Sequence, residues 1–150
     1  MKIPVSCIIT RPMMTTLPAT ACLTAVHFPV WRDARIGVGF HEVSARRSDF
    51  ALAAAAAQVA LDEHGICRRL ALGVGGVAAR PLRLDAVASA LEGTRAEEAH
   101  MREVVRAALG EIEPLSDLHA SADYRRRAAA HLAVRAITDA YHAAAGADAS

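Results

Sequence analysis

Between residues 36 and 44 the chain alternates: Ile36, Val38 and Phe40 fall on one face, Gly37, Gly39 and His41 on the other. Period 2 predicts a strand with one buried face, and the glycines let something approach the second face closely. Upstream, Leu23, Val26 and Phe28, closed by Pro29, predict a short strand over residues 22–28, of the kind found at a sheet edge. Residues 1–21 carry Pro4, Pro12 and Pro18 and read as an extended lead-in. Residues 51–61 are ambiguous. Five consecutive alanines favour helix by propensity. Against that, Asp62–Gly65 is a turn signal, and Ile66, Leu70, Leu72 and Val74 beyond it share one parity, which makes a β-hairpin. The two readings balance.

The second half follows the helical period. Leu84, Val87, Ala88 and Leu91 predict one helix, stopped by Gly93. Thr94 and Glu97 form a capping-box pattern ahead of a second helix that buries Met101, Val104, Val105, Ala108, Leu109 and Ile112. Ser121 is placed to cap a long last helix with Leu132, Ala133, Ala136, Ile137, Ala140 and Tyr141 inward, and the chain from Ala143 is expected to fray. Strands first and helices after imply an α+β domain, an antiparallel sheet with helices on one side.

At 150 residues the chain is about one domain. A 53% apolar content supports a core, and a formal net charge of +1 disfavours a nucleic-acid partner. Sixteen arginines against one lysine, with 35 alanines, point to a GC-rich bacterial genome. Cys7, Cys22 and Cys67 are odd in number and form no CxxC, so they read as reduced, mostly buried thiols of a cytoplasmic protein. No apolar run is long enough for a membrane span, and residues 1–10 lack the features of a signal peptide.

Most catalytic patterns are missing. Gly73–Gly76 is not followed by Lys-Ser/Thr, Gly37-Val-Gly39 lacks the third glycine of a dinucleotide fingerprint, and there is no G-x-S-x-G. None of the seven histidines pair at i,i+4, so no metal site is expected. Arg125, Arg126 and Arg127 open the last helix against its dipole, which points to a solvated face or to carboxylate pairs. The most informative stretch is residues 42–51, where Arg46, Arg47, Asp49 and Phe50 bunch between two strands. It is either the wall of a site for an anionic, planar ligand or a solvated hairpin end.

That stretch, Gly37-Val-Gly-Phe-His-Glu-Val-Ser-Ala-Arg-Arg-Ser-Asp-Phe-Ala51, resembles the opening of the C-terminal domain of the flavoprotein (medium) subunit of molybdenum hydroxylases. Aerobic carbon monoxide dehydrogenase and xanthine dehydrogenase belong to that family. Three further segments match in order: the strand and Gly-Gly turn of residues 67–83, Ser116-Asp117 with Ser121-Ala-Asp-Tyr-Arg-Arg126, and the linker of residues 14–31. The resemblance spans roughly residues 13–141. It implies an antiparallel sheet of three to four strands packed against about three C-terminal helices, with residues 51–61 as a strand. The implied domain is 22–145, after the lead-in 1–21 and before a frayed tail 146–150.

In the family, electrons pass from a molybdopterin-binding large subunit, through the 2Fe-2S clusters of a small subunit, to FAD on the medium subunit. The resemblance implies that Phe50 flanks the isoalloxazine, with Arg46, Arg47 and Asp49 as neighbours and Arg68 towards the flavin's pyrimidine edge. No catalytic or metal-ligating residue is implied. The family holds FAD mainly with two N-terminal subdomains that this sequence does not match, so the chain purified alone is expected to carry no flavin and to need a separate FAD-binding partner. The alternative expectation is a non-catalytic orphan or truncated domain serving subunit contacts.

Overall fold

The computed structural model describes residues 3–11, 14–46 and 49–146. The chain opens with one helical turn, α1 (Val5–Ile8), and a small hairpin of β1 (Ile9–Arg11) and β2 (Met14–Thr15). Part of the expected extended lead-in is thus folded on itself. The Thr16 amide bonds the Ile8 carbonyl at 2.9 Å, and its hydroxyl donates to the Cys7 carbonyl at 3.1 Å. The strand expected at residues 22–28 does not form. Leu23, Val26 and Phe28 are exposed, and no strand among the described residues pairs with them. The end of this segment is anchored by Trp31, whose ring lies 4.2 Å from the Arg69 guanidinium.

Among the described residues the main sheet is four-stranded, antiparallel and sequential: β3 (Arg35–Ser44), β4 (Ala51–Leu61), β5 (Cys67–Gly75) and β6 (Leu82–Arg83). The alanine-rich run is therefore a strand. Pairing on both sides, with β3 and β5, outweighs its helix propensity, and Ala53, Ala55, Ala57 and Val59 are buried on one face. The β4–β5 turn forms as expected. Asp62 Oδ1 accepts the amides of His64 and Ile66 at 2.9 and 2.8 Å, and Gly65 takes φ +74°.

Three helices cover that face: α2 (Asp85–Leu91), α3 (Glu98–Gly110) and α4 (Ala122–Gly146). The order and class agree with the α+β expectation. The capping box does not form. Thr94 is held at the sheet end, its carbonyl accepting the Cys67 amide at 2.8 Å, and its hydroxyl takes the Ala96 amide instead. The helix starts later, at Glu98, with no side-chain cap. Ser121 does cap α4, accepting the Tyr124 amide at 3.2 Å. Nor does α4 fray at Ala143, because Ala144 is fully buried and the helix runs on to Gly146. Residues 147–150, most of the expected tail, lie outside the described residues.

Two further corrections concern burial. Of the cysteines, Cys67 is buried but Cys7 and Cys22 are exposed. On β3 the covered face is the glycine face. A Cβ on Gly37 would sit 1.9 Å from the Ala140 carbonyl oxygen, and one on Gly39 2.1 Å from that of Ala136. The Ala136, Ala140 and Ala144 face of α4 therefore rests directly on bare strand backbone. His41, on the same parity, bonds Asp139 of α4 at 2.6 Å. The larger side chains of the opposite face, Val38 and Phe40, stay 67% and 62% exposed. No helix among the described residues is long and apolar enough to cross a membrane.

Candidate functional site

The segment singled out in the sequence forms the β3–β4 turn, at one end of the sheet. Its bends are set locally: Ser44 Oγ donates to the Arg46 carbonyl at 2.8 Å, that carbonyl also accepts the Asp49 amide, and Asp49 Oδ1 accepts the Phe50 amide at 2.8 Å. Asx and hydroxyl bonds of this kind hold a turn without a ladder. Arg46 and Asp49 are exposed, and Phe50 is 94% exposed just ahead of β4. Arg47 lies outside the described residues.

Arg68 does not join this group. It sits beside Cys67, which pairs with Leu61 at the far end of the eleven-residue β4, roughly 30 Å of strand away from Phe50. There its Nε is 3.8 Å from Asp33. The hairpin read from the sequence already implied this separation, because its turn at Asp62–Gly65 returns residue 68 to the end where β4 finishes.

Arg125 makes the carboxylate pair that was one of the two expectations for this arginine run, but its burial and its hold on backbone carbonyls were not foreseen. Among the three arginines opening α4 it alone is buried, 5% exposed, rather than solvated. Its Nη1 donates to the carbonyls of Leu52 at 2.6 Å and Gly76 at 2.9 Å, and its Nη2 to Asp117 Oδ2 at 2.7 Å. Asp117 Oδ1 in turn accepts the amides of His119 and Ala120. The Arg125 bond, seconded by those amides, holds the Asp117 carboxyl down at about 2. The arginines' opposition to the helix dipole was the available signal, and the sheet-end carbonyls are its explanation. The Gly-Gly stretch is spent here as well. Gly76 takes φ +76°, and a Cβ on it would lie 2.6 Å from the Leu52 carbonyl oxygen, so this glycine serves close packing rather than a phosphate.

The helix-free face of the sheet bears a groove of about 990 Å³ whose lining includes Val38, Phe40, Ala56, Gly73, Leu82 and, from β1, Ile9. Its floor is small and apolar. With the β3–β4 turn, it gives the domain one open, largely apolar side and one exposed aromatic with an arginine close by in the chain. Such a surface can pack against a planar ring or a second apolar surface. The described residues hold no cluster of three His, Cys, Asp or Glu suited to a metal.

Comparison with known proteins agrees with this geometry. A family model of the CO dehydrogenase flavoprotein C-terminal domain matches residues 38–140. The 6-hydroxypseudooxynicotine dehydrogenase complex subunit alpha of Paenarthrobacter nicotinovorans is 30% identical over 108 residues, covering 72% of this chain and 36% of that protein. Among solved structures, quinoline 2-oxidoreductase from Pseudomonas putida 86 is 28% identical with a TM-score of 0.68, over 73% of this chain and 38% of that one. CO dehydrogenase from Oligotropha carboxidovorans is 26% identical with a TM-score of 0.82, over 91% of this chain and 47% of that one. The chain thus spans less than half the length of each of these relatives. With the sheet order, the helix layer and the family match in agreement, this chain belongs to the CO dehydrogenase flavoprotein C-terminal domain family.

Proposed function

We propose that this chain supplies the ring-flanking wall of a flavin site in a molybdenum-hydroxylase-type oxidoreductase. The observation that carries the reading is Phe50: a large aromatic, 94% exposed, held by turn hydrogen bonds at the end of a rigid strand. The residues fit one side of an FAD ring. Phe50 offers an apolar face, and Arg46, exposed in the same turn, offers a cation, which favours an electron-rich or anionic ring. They do not fit the pyrophosphate, since Gly76 is packed against the Leu52 carbonyl and the Gly73–Gly76 stretch leads into no helix N-terminus that would take a phosphate. FAD itself would supply the electron-carrying chemistry; this chain's own part is to cover one face of the ring and exclude water from it.

On this reading the chain works with an FAD-binding domain, a 2Fe-2S subunit and a molybdopterin-binding subunit, in the cytoplasm. The exposed Val38 and Phe40 and the groove they border support an apolar surface being laid over the helix-free side. The same surface favours the second reading, a domain serving contacts alone. Co-expression with those partners decides between them. A purified assembly with flavin absorbance, lowered several-fold by Phe50→Ala, supports the first. An assembly whose flavin content is indifferent to Phe50→Ala supports the second.

A further inference from the structure

Leu52 is the extra residue of a β-bulge. Val43 lies opposite Ala53 and Ser44 opposite Ala51, which leaves Leu52 with no partner on β3. On the other side the β4–β5 ladder begins only at Ala54 opposite Gly75. Leu52 therefore has an unladdered carbonyl inside the structure, and a buried carbonyl without a donor is costly. The Arg125 guanidinium fills that place. Gly76, which has no Cβ to block the approach, brings its own carbonyl near enough for the same Nη1 to serve both. The second arm is held by Asp117, itself oriented by two backbone amides. Three segments distant in sequence, around residues 52, 76 and 117, thus meet on one buried side chain.

A bulge is a one-residue register shift, and side-chain direction alternates along a strand. Without the bulge Ser44 would face Leu52, and every side chain before that point would change face. Phe50 stands two residues ahead of Leu52. We propose that Arg125 is a positioning residue that stabilises the bulged register of β4 and so sets the face of the sheet to which Phe50 projects. That Phe50 meets a flavin rests on the function proposed above; the hold of Arg125 on the register does not.

The two are tested apart. In the full chain, nuclear magnetic resonance reads the cross-strand pair Ser44–Ala51 directly. In Arg125→Met the pair is expected to become Ser44–Leu52, with Ile36–Ala60 at the other end unmoved. A folded Arg125→Met that keeps Ser44–Ala51 overturns the proposal. Arg125→Lys keeps the charge but puts one nitrogen in place of a two-armed fork, so it cannot hold the two carbonyls and Asp117 in the same geometry, and it serves if the methionine variant does not fold. Its amides at Ala51 and Ala53 are expected to exchange roughly tenfold faster than in the parent, with Val59 and Leu70 unchanged. Uniform change, or none, overturns the proposal. Flavin content of the assembled complex is then compared for Phe50→Ala and Arg125→Lys. If Phe50→Ala leaves flavin unchanged, the flavin reading fails, and the register measurements still judge Arg125 on their own.

Discussion

Gly39→Ala probes the contact that organises the fold. The added methyl would lie 2.1 Å from the Ala136 carbonyl oxygen and 3.1 Å from its Cα, where ordinary contact begins at 3.4 Å. The obstacle is helix backbone, which cannot rotate away, so α4 must lift from β3 by about 1.3 Å near Ala136. Overpacking of this kind costs about 1–3 kcal/mol, and more where backbone must move. The lift also opens a gap around Ala133, Ile137 and Ala140, all fully buried, and a gap of about 1 Å forfeits up to half of each dispersion contact. Reduced chain entropy in the unfolded state returns only about 0.4–1 kcal/mol. The expected net loss is about 3 kcal/mol, a fall of about 1.5 M in the urea midpoint for a slope near 2 kcal/mol/M. Gly110→Ala is the control. Gly110 ends α3 with nothing within 4 Å of the new methyl, so helix propensity should stabilise by about 0.5–1 kcal/mol. Urea unfolding followed by circular dichroism measures both. A Gly39→Ala protein within about 0.5 kcal/mol of its parent would mean that α4 does not rest on β3 backbone.

Phe50→Ala should change stability by less than about 0.5 kcal/mol, because the ring is 94% exposed; a larger loss on urea unfolding would place it in the core. The Asp117 carboxyl titrates at about 2 when folded against an ordinary 3.8, so its contribution is complete above pH 3.8 and is lost as pH falls towards 2. Asp117→Asn should therefore flatten the acid limb of the stability curve between about pH 4 and pH 2, and an unchanged limb would refute the pairing with Arg125. Burial, with Glu92 nearby, pushes the Cys67 thiol up to about 11. Iodoacetamide at about pH 8 should label Cys7 and Cys22 in the folded chain and Cys67 only on unfolding, as read by mass spectrometry of the peptides.

Much of the architecture was legible because it follows from local rules. The Asp62–Gly65 turn, the parity of Leu70, Leu72 and Val74, the Ser121 cap and the apolar stripe of α3 all act within a few residues and stand in the structure; Ile66, expected on the same parity, instead precedes β5, where an irregularity buries Cys67. The β3–β4 turn was recognisable as a site candidate for the same reason, since Arg46, Asp49 and Phe50 are neighbours in the chain and remain so in space. Where a long-range partner decided the outcome, local rules failed. Thr94 was expected to cap a helix, but its carbonyl is taken by Cys67, so the helix starts later. The strand expected at residues 22–28 needed a neighbour that the fold does not provide. Local rules left Ala51–Leu61 balanced between helix and strand; the family resemblance assigned it to strand, and pairing with β3 and β5 bears that out.

The glycines of β3 marked a face open to close approach, but only the tertiary structure decided that this is the covered face and that α4 covers it. Alternation separates Ile36, Val38 and Phe40 from Gly37 and Gly39, and hydrophobicity assigns the first set to the core. Yet α4 packs on the glycines, because its alanines come closest where the strand has no Cβ, and the apolar side chains are left on the open side. It likewise decided the role of Arg125. Nothing within a few residues of position 125 tells that the carbonyls of Leu52 and Gly76 will be short of donors. That shortage arises only when a bulge and a strand end from distant parts of the chain meet at the start of α4. Period and propensity describe what each segment can bury, while the identity of the surface it meets is a property of the whole fold.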